Sequence, residues 1–269
     1  MMDSPRTNLL KARPRGLLPA PAMDEEGSVD RTDTGQAQVR QAWRALRSIP
    51  LEPSRLSDRR IVTLERRDPA HVAFDIMRTR MLKTMGENNW RRVGVTSPTA
   101  GCGKTMVCAN LAFSLAHHLE CRVALLDLDL SRTSLADLFG VGQAPSMARF
   151  LQGRSAVEDV FLRHADNLAL GLNGCTESFT TEILHGRQTG SALETLERTL
   201  EPDIMLIDLP PQRTSDELLA FLPHLDCILL VAAAGVSTVY EIDTCERELD
   251  EESHLLGVVL NKCHEPGGR

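Results

Sequence analysis

No apolar run in the 269-residue chain approaches the roughly 18–20 residues that a bilayer-spanning helix needs. The first residues, MMDSPRTNLLKARPRG, lack the apolar stretch of a secretory signal. No C-x-x-C pair occurs, and the seven cysteines are odd in number and scattered, which argues against a zinc site or a disulfide framework. Cys102, Cys108, Cys121 and Cys227 fall beside or within apolar segments, as reduced buried thiols do. No basic stripe dominates, and a net charge of −7 argues against nucleic acid as a partner. No internal repeat is visible. The expectation is a cytoplasmic protein whose 42% hydrophobic residues suffice for one sizeable core, or a core plus a tail.

Residues 1 to about 60 carry Pro5, Pro14, Pro19, Pro21, Pro50 and Pro53 among mixed charges, with little apolar periodicity. Such a composition predicts a flexible, largely disordered segment over 1–68. Within it, AQVRQAWRALRSI places Val39, Ala42, Trp43 and Leu46 on one helical face. A helix this short is marginal alone, so Trp43 calls for something to dock on.

From Pro69 the pattern is regular, and 69–269 is expected to form one nucleotide-binding domain. PAHVAFDIMRTRMLKTM reads as an amphipathic helix with Val72, Ile76, Met77 and Met81 toward the core. RRVGVTS, CRVALLDLDL, NLALGLNG, DIMLIDL, CILLVAAA and LLGVVLN are six apolar runs of strand length, with helical segments between them. Continuously apolar strands alternating with helices imply an α/β fold, doubly wound, with a mostly parallel sheet covered on both faces. The site is expected at the carboxyl ends of the strands.

One loop at such an end carries chemistry. SPTAGCGKT follows the first of these strands and opens a helix, although Pro98 stands where the strict G-x-x-x-x-G-K-[ST] pattern has glycine. A nucleoside triphosphate needs a concave array of backbone N–H groups, a helix N-terminus and a cation. Ala100, Gly101, Cys102, Gly103, Lys104, Thr105 and Met106 span that cradle. Its two glycines admit close approach, Lys104 can reach the β/γ oxygens, and the Thr105 hydroxyl can take a Mg²⁺ position. VALLDLDL ends a strand in Asp127 and Asp129, which alternation puts on one side. Two neighbouring carboxylates repel unless a cation or proton lies between them, which Mg²⁺ would supply. DIMLIDLPP leads four apolar residues into Asp208, the pattern of a strand whose acid holds the metal through water. The three elements together predict a Mg-nucleotide site.

TSPTAGCGKT with NLAFSLA, VALLDLDLSRTSLADLFG, DIMLIDLPP and LLGVVLNK resembles the bacterial tyrosine kinases of capsule and exopolysaccharide assembly, P-loop ATPases related to the ParA/MinD type. The resemblance runs from about Asp75 to Lys262. It explains the loop, because that family's S-x-x-P-G-E-G-K-[ST] never had the early glycine. Ala100 and Cys102 replace the family's proline and glutamate. The resemblance implies phosphoryl transfer from ATP with Mg²⁺. Lys104, Asp127, Asp129 and Asp208 would be catalytic, with Asp127 assisting deprotonation of the incoming hydroxyl. Thr105, Asp127 and Asp208 would hold metal, and Asn261 would lie near the adenine ring. Arg132 falls one residue late against the family's arginine.

Three departures stand out. The family's tail is a tyrosine cluster, whereas this sequence ends in NKCHEPGGR and holds one tyrosine, Tyr240, in a predicted helix. Its ring-forming E-x-x-R-x-x-R would map to Val72, Asp75 and Arg78, so most of that motif is missing. No membrane-spanning activator segment is present, so the expected partner is a separately encoded inner-membrane polysaccharide co-polymerase, through which the protein would sit peripherally at that membrane; a homo-oligomer stays open.

An ATP-dependent kinase or ATPase is therefore one reading, and an ATP-operated binding switch without kinase activity is the second. A ParA/MinD-like partition ATPase is a third, but Thr99 stands where those proteins carry a signature lysine. A dinucleotide enzyme lacks its G-x-G-x-x-G after the first strand.

Overall fold

The structure, a computed structural model, describes residues 30–214 and 216–263. Eight strands run β1 (Arg47–Ser48), β2 (Arg92–Thr96), β3 (Val123–Asp127), β4 (Phe161–His164), β5 (Leu168–Gly171), β6 (Ile204–Asp208), β7 (Cys227–Ala233) and β8 (Leu255–Asn261). The helices are α1 (Asp30–Ala45), α2 (Pro53–Asp58), α3 (His71–Asn88), α4 (Lys104–Ala116), α5 (Ser134–Phe139), α6 (Met147–Leu151), α7 (Val157–Val160), α8 (Thr180–Leu184), α9 (Arg187–Leu200), α10 (Glu217–Phe221) and α11 (Val239–Glu252). All strands form one sheet in the order β1-β4-β5-β3-β6-β2-β7-β8. Among the described residues only the β4–β5 pair is antiparallel. This is the expected α/β architecture, mostly parallel and covered on both faces.

Alternation along the strands divides the core in two. Ala124, Leu126, Met205, Ile207, Ile228 and Leu230 face one layer, with helices α1, α6 and α9. Val123, Leu125, Ile204, Leu206, Cys227 and Leu229 face the other, with α2, α3 and α4. A strand buried on both faces needs apolar residues at every position, which is why these runs show no polar alternation. The order β3-β6-β2 brings the carboxyl ends of three separate runs side by side.

Three expectations are corrected. The composition of 1–68 points to a largely disordered segment with one helix, yet residues 30–68 carry α1, β1 and α2 packed on the domain; residues 1–29 lie outside the described residues. Val39, Trp43 and Leu46 are buried in the core, and the Trp43 Nε1 donates to the Leu200 carbonyl at 2.7 Å. Burying each such side chain contributes about 1.5–3 kcal/mol toward the cost of ordering the helix. Trp43 thus docks on α9 of its own domain. Second, α3 exposes Val72 and Ile76 by half, while Met81 and Met85 are buried. The helix lies toward the β8 end of the sheet, and that strand is an uncovered edge, so part of its apolar face meets no neighbour. Third, β1 and β4 are additional strands, parallel to each other and both running against the other six.

Candidate nucleotide site

β2 runs into the loop Ser97–Gly103. The Thr96 hydroxyl donates to the Pro210 carbonyl at 2.7 Å, and the Gln212 amide donates to the Ser97 carbonyl at 2.9 Å. These bonds stitch the loop's entry to the segment that follows β6. Gly101 and Gly103 both adopt left-handed φ angles, +84° and +88°. A side chain at Gly103 would be strained by that angle and would also run into the Asn261 amide. Asn261, at the end of β8, donates through Nδ2 to the Cys102 carbonyl at 2.9 Å. It therefore braces the loop from beneath, and its amide nitrogen is engaged there.

α4 begins at Lys104 with Gly103 as its cap residue and no side-chain cap. The first-turn N–H groups of a helix have no partner within it, so this end is an anion cradle. Thr105 and Met106 are partly exposed there, and Ala100 and Gly101 are exposed on the loop.

The Lys104 side chain does not reach outward. It is 8% exposed, and Nζ donates to Asp129 Oδ2 at 2.9 Å and to Asp208 Oδ1 at 3.4 Å. Asp127 and Asp208 face each other across the parallel β3–β6 register. Asp127 Oδ2 accepts from the Leu135 amide at 3.0 Å, while its Oδ1 is buried with no partner. Asp208 Oδ2 is buried without a partner as well. The structure thus gathers the four residues expected to be catalytic into one cluster.

Three carboxylates against one ammonium leave excess negative charge in a dry setting. Burial, then the Asp208 charge, pushes the Asp127 carboxyl well above the usual carboxylate range. Burial raises Asp208 too, against the opposing pull of Lys104 and a hydrogen bond from Thr105. For Lys104 burial works downward, but the charges of Asp208 and Asp129 outweigh it and hold the ammonium above its ordinary value.

Among the described residues no group of three or more His, Cys, Asp or Glu side chains is arranged to hold a metal by itself. Mg²⁺ does not need one, since it keeps waters and uses one or two carboxylates plus phosphate oxygens. The unpartnered oxygens of Asp127 and Asp208, beside the Thr105 hydroxyl, are hard oxygen donors suited to that ion.

Sequence reasoning missed four contributors. Ser131 donates to Asp129 Oδ1 at 2.9 Å and fixes that carboxylate; its place two residues on was the available signal. The Leu135 amide holds Asp127 from the start of α5. Ser237 Oγ lies 3.4 Å from Cys102 Sγ and ties the loop to the turn before α11. Gln212, mostly buried, donates to Glu248 of α11 at 2.9 Å. No local pattern marks the last two.

Residues 90–263, which hold every part of this cluster, match the family described as ParA: NUBPL iron-transfer P-loop NTPase. The chain belongs to this ParA-type family of P-loop NTPases. It is also similar to proteins named as bacterial tyrosine kinases. The putative tyrosine-protein kinase EpsB of Ralstonia solanacearum is 29% identical over 199 residues, 72% of this chain. The matched part spans only 26% of EpsB. The kinase domain of the Escherichia coli tyrosine kinase ETK has a TM-score of 0.70 at 22% identity, covering 83% of this chain and 84% of that one. The septum site-determining protein MinD of Pyrococcus horikoshii, complexed with Mg-ADP, has a TM-score of 0.53 at 21% identity, covering 63% of this ParA-type chain and 69% of that one. Those two structural likenesses concern the fold.

Proposed function

We propose that this ParA-type protein binds Mg-ATP and transfers its γ-phosphoryl group to a hydroxyl, protein tyrosine or water, in the service of exopolysaccharide or capsule synthesis. The observation that carries the reading is the Lys104–Asp127–Asp129–Asp208 cluster beneath an uncapped helix N-terminus. Tyrosine kinases among the similar proteins support the acceptor class, and the Mg-ADP of the MinD relative supports the cofactor.

In this mechanism the loop amides from Ala100 to Met106 hold the phosphates, and Lys104 leaves its buried acids to neutralise the β/γ oxygens. Bound Mg²⁺, held by Thr105, Asp127 and Asp208, supplies further charge neutralisation. Asp127, which faces Asp208 across the β3–β6 register, takes the proton of the attacking hydroxyl. Asp129 receives Lys104 in the nucleotide-free state and is oriented by Ser131. The proposed partner is a separately encoded inner-membrane polysaccharide co-polymerase, which would bring the protein to that membrane; a homo-oligomer is compatible with the same scheme.

A switch without kinase activity is the second reading. It is favoured by the two links from the site to α11, Cys102 to Ser237 and Gln212 to Glu248, through which nucleotide could move a surface helix. Iron transfer, named in the family description, gains no support from seven cysteines with no C-x-x-C pair among them. The deciding experiment is incubation with γ-labelled ATP and Mg²⁺, followed by separation of free phosphate from protein-bound label. Label in neither fraction, with normal ATP binding, leaves the switch reading alone.

A further inference from the structure

The helix that starts beside the phosphate loop, α11, is strongly acidic. Its sequence, VYEIDTCERELDEE, carries seven acids against one base, Arg247. Among the described residues none of the seven forms an ion pair. Glu246 and Asp250, like Glu248 and Glu252, are like charges at i,i+4, which repel. Asp250, Glu251 and Glu252 also crowd the carboxyl end of the helix, where the macrodipole is negative and no base stands. Cations brought from elsewhere would relieve both strains.

One contact shows where such a cation acts. Glu248 accepts from Gln212 Nε2 at 2.9 Å, and Gln212 is 8% exposed with its Oε1 buried and unpartnered. A carboxylate beside an empty amide oxygen is a set of acceptors short of donors, which a guanidinium supplies. The Gln212 backbone amide in turn donates to the Ser97 carbonyl at the entry of the phosphate loop. At the head of the helix Val236, Val239 and Tyr240 are exposed, so apolar groups also have a place there.

The chain holds a segment that matches this surface. RTNLLKARPRGLL, residues 6–18, has Arg6, Lys11, Arg13 and Arg15, no acid, and two leucine pairs. It lies outside the described residues and precedes α1, whose Val39 and Trp43 share one core layer with Cys245 and Leu249 of α11. Both helices therefore cover the same face of the sheet. Eight strands spaced about 4.8 Å apart give that face a width of about 34 Å. The stretch from Leu18 to Asp30 can span up to about 40 Å, so the segment reaches α11.

We propose that residues 6–18 dock along the acidic face of α11 of their own chain and thereby act on the phosphate loop. An arginine of the segment pairs with Glu248 and takes that carboxylate from Gln212. The leucines cover the exposed valines at the head of the helix. Gln212, released from α11, no longer braces the loop through its bond to Ser97, and ATP binds more weakly. Only this last step rests on the Mg-ATP reading above.

A zero-length carbodiimide coupler tests the docking without nucleotide. It is applied to the full chain at low protein concentration, and the cross-linked peptides are mapped. The expected product joins Lys11 Nζ to a carboxylate of α11 within one molecule. R13E/R15E should lose most of it, D243K/D250K/E251K should do the same, and combining the two sets should restore it. Folded wild type without the link overturns the docking, as does a yield that neither charge reversal changes. A link found only in dimers assigns the segment to a second copy and overturns docking within the chain. For the effect on the loop, R13E/R15E should bind Mg-ATP severalfold more tightly than wild type, and the combined variant should return to the wild-type value. Equal ATP affinity in all of them overturns the coupling and leaves the docking. Absence of ATP binding in every variant removes the Mg-ATP reading and the coupling with it, while the cross-link still judges the docking.

Discussion

Asp127 and Asp208 close adjacent parallel strands in register, and each leaves one carboxylate oxygen buried without a partner. A buried unsatisfied charge is costly, so this pair is tolerated only if a proton or a cation is shared with it. That requirement makes the site's chemistry measurable without any assay of turnover.

Stability of the metal-free protein should fall as pH rises. Burial and mutual repulsion raise the Asp127 carboxyl, and burial raises Asp208. A carboxyl raised in the folded state binds its proton more tightly there than in the unfolded chain. Its stabilising contribution is complete below the unfolded value of about 3.9 and is lost as pH climbs through the folded value. Urea unfolding at about pH 5 and about pH 8 should show this loss, with Mg²⁺ restoring part of it at the higher pH. D127N should flatten the slope and exceed wild type at the higher pH by about 1–3 kcal/mol. A wild-type profile that is flat across this range would remove the shared-proton account.

Lys104→Met should weaken Mg-ATP binding and also destabilise the fold. The lysine would be expected to stand free if it served nucleotide alone, but it is buried against Asp129 and Asp208. Removing one partner of a buried ion pair costs about 3–5 kcal/mol, because uncompensated charge remains. K104M combined with D129N should recover part of that stability and none of the affinity. Calorimetry and urea unfolding on both variants decide it; unchanged ATP affinity in K104M would sink the phosphate-loop assignment.

Asp127→Asn and Asp208→Asn should impair Mg-dependent turnover far more than nucleotide affinity. ATP is held by loop amides and Lys104, which these substitutions leave in place, whereas the carboxylates act on the transition state. Phosphate release measured at saturating ATP, beside the dissociation constant of ATP, separates the two effects. Variants with full turnover would exclude both acids from the site.

Trp43→Ala should destabilise the domain by about 3–5 kcal/mol, the usual cost of emptying a buried aromatic site. The indole fills the α1–α9 contact and satisfies the Leu200 carbonyl. In wild type, limited proteolysis should spare residues 30–68, and W43A should expose them to cleavage. Early cleavage of that stretch in wild type would mean that α1 does not hold its docked position in solution.

Tertiary structure decided matters that no local pattern carried. The span AQVRQAWRALRSI showed a helix and its apolar face, but its acceptor, the Leu200 carbonyl, lies 157 residues away. On α3 the helical period grouped Val72 and Ile76 with Met81, yet only Met81 is buried, because period says which residues share a face and not what covers it. β4 was missed for a related reason: its antiparallel partner fixes its direction, and in Phe161–His164 the charged Arg163 and the polar His164 break the apolar run. By contrast the six apolar strands, the loop from Ser97 to Thr105 and the acids at the strand ends were legible in the sequence. A strand buried on both faces writes an unbroken apolar run, and a phosphate cradle is built from contiguous backbone whose glycines set its angles. The sequence also placed Asp127 and Asp129 on one side of a strand and Asp208 at the end of another. That Asp127 meets Asp208, and that Asp129 takes Lys104, follows from β3 and β6 lying side by side next to β2. Strand order is a property of the packed sheet, set by which apolar faces bury best together, and residue periodicity does not encode it.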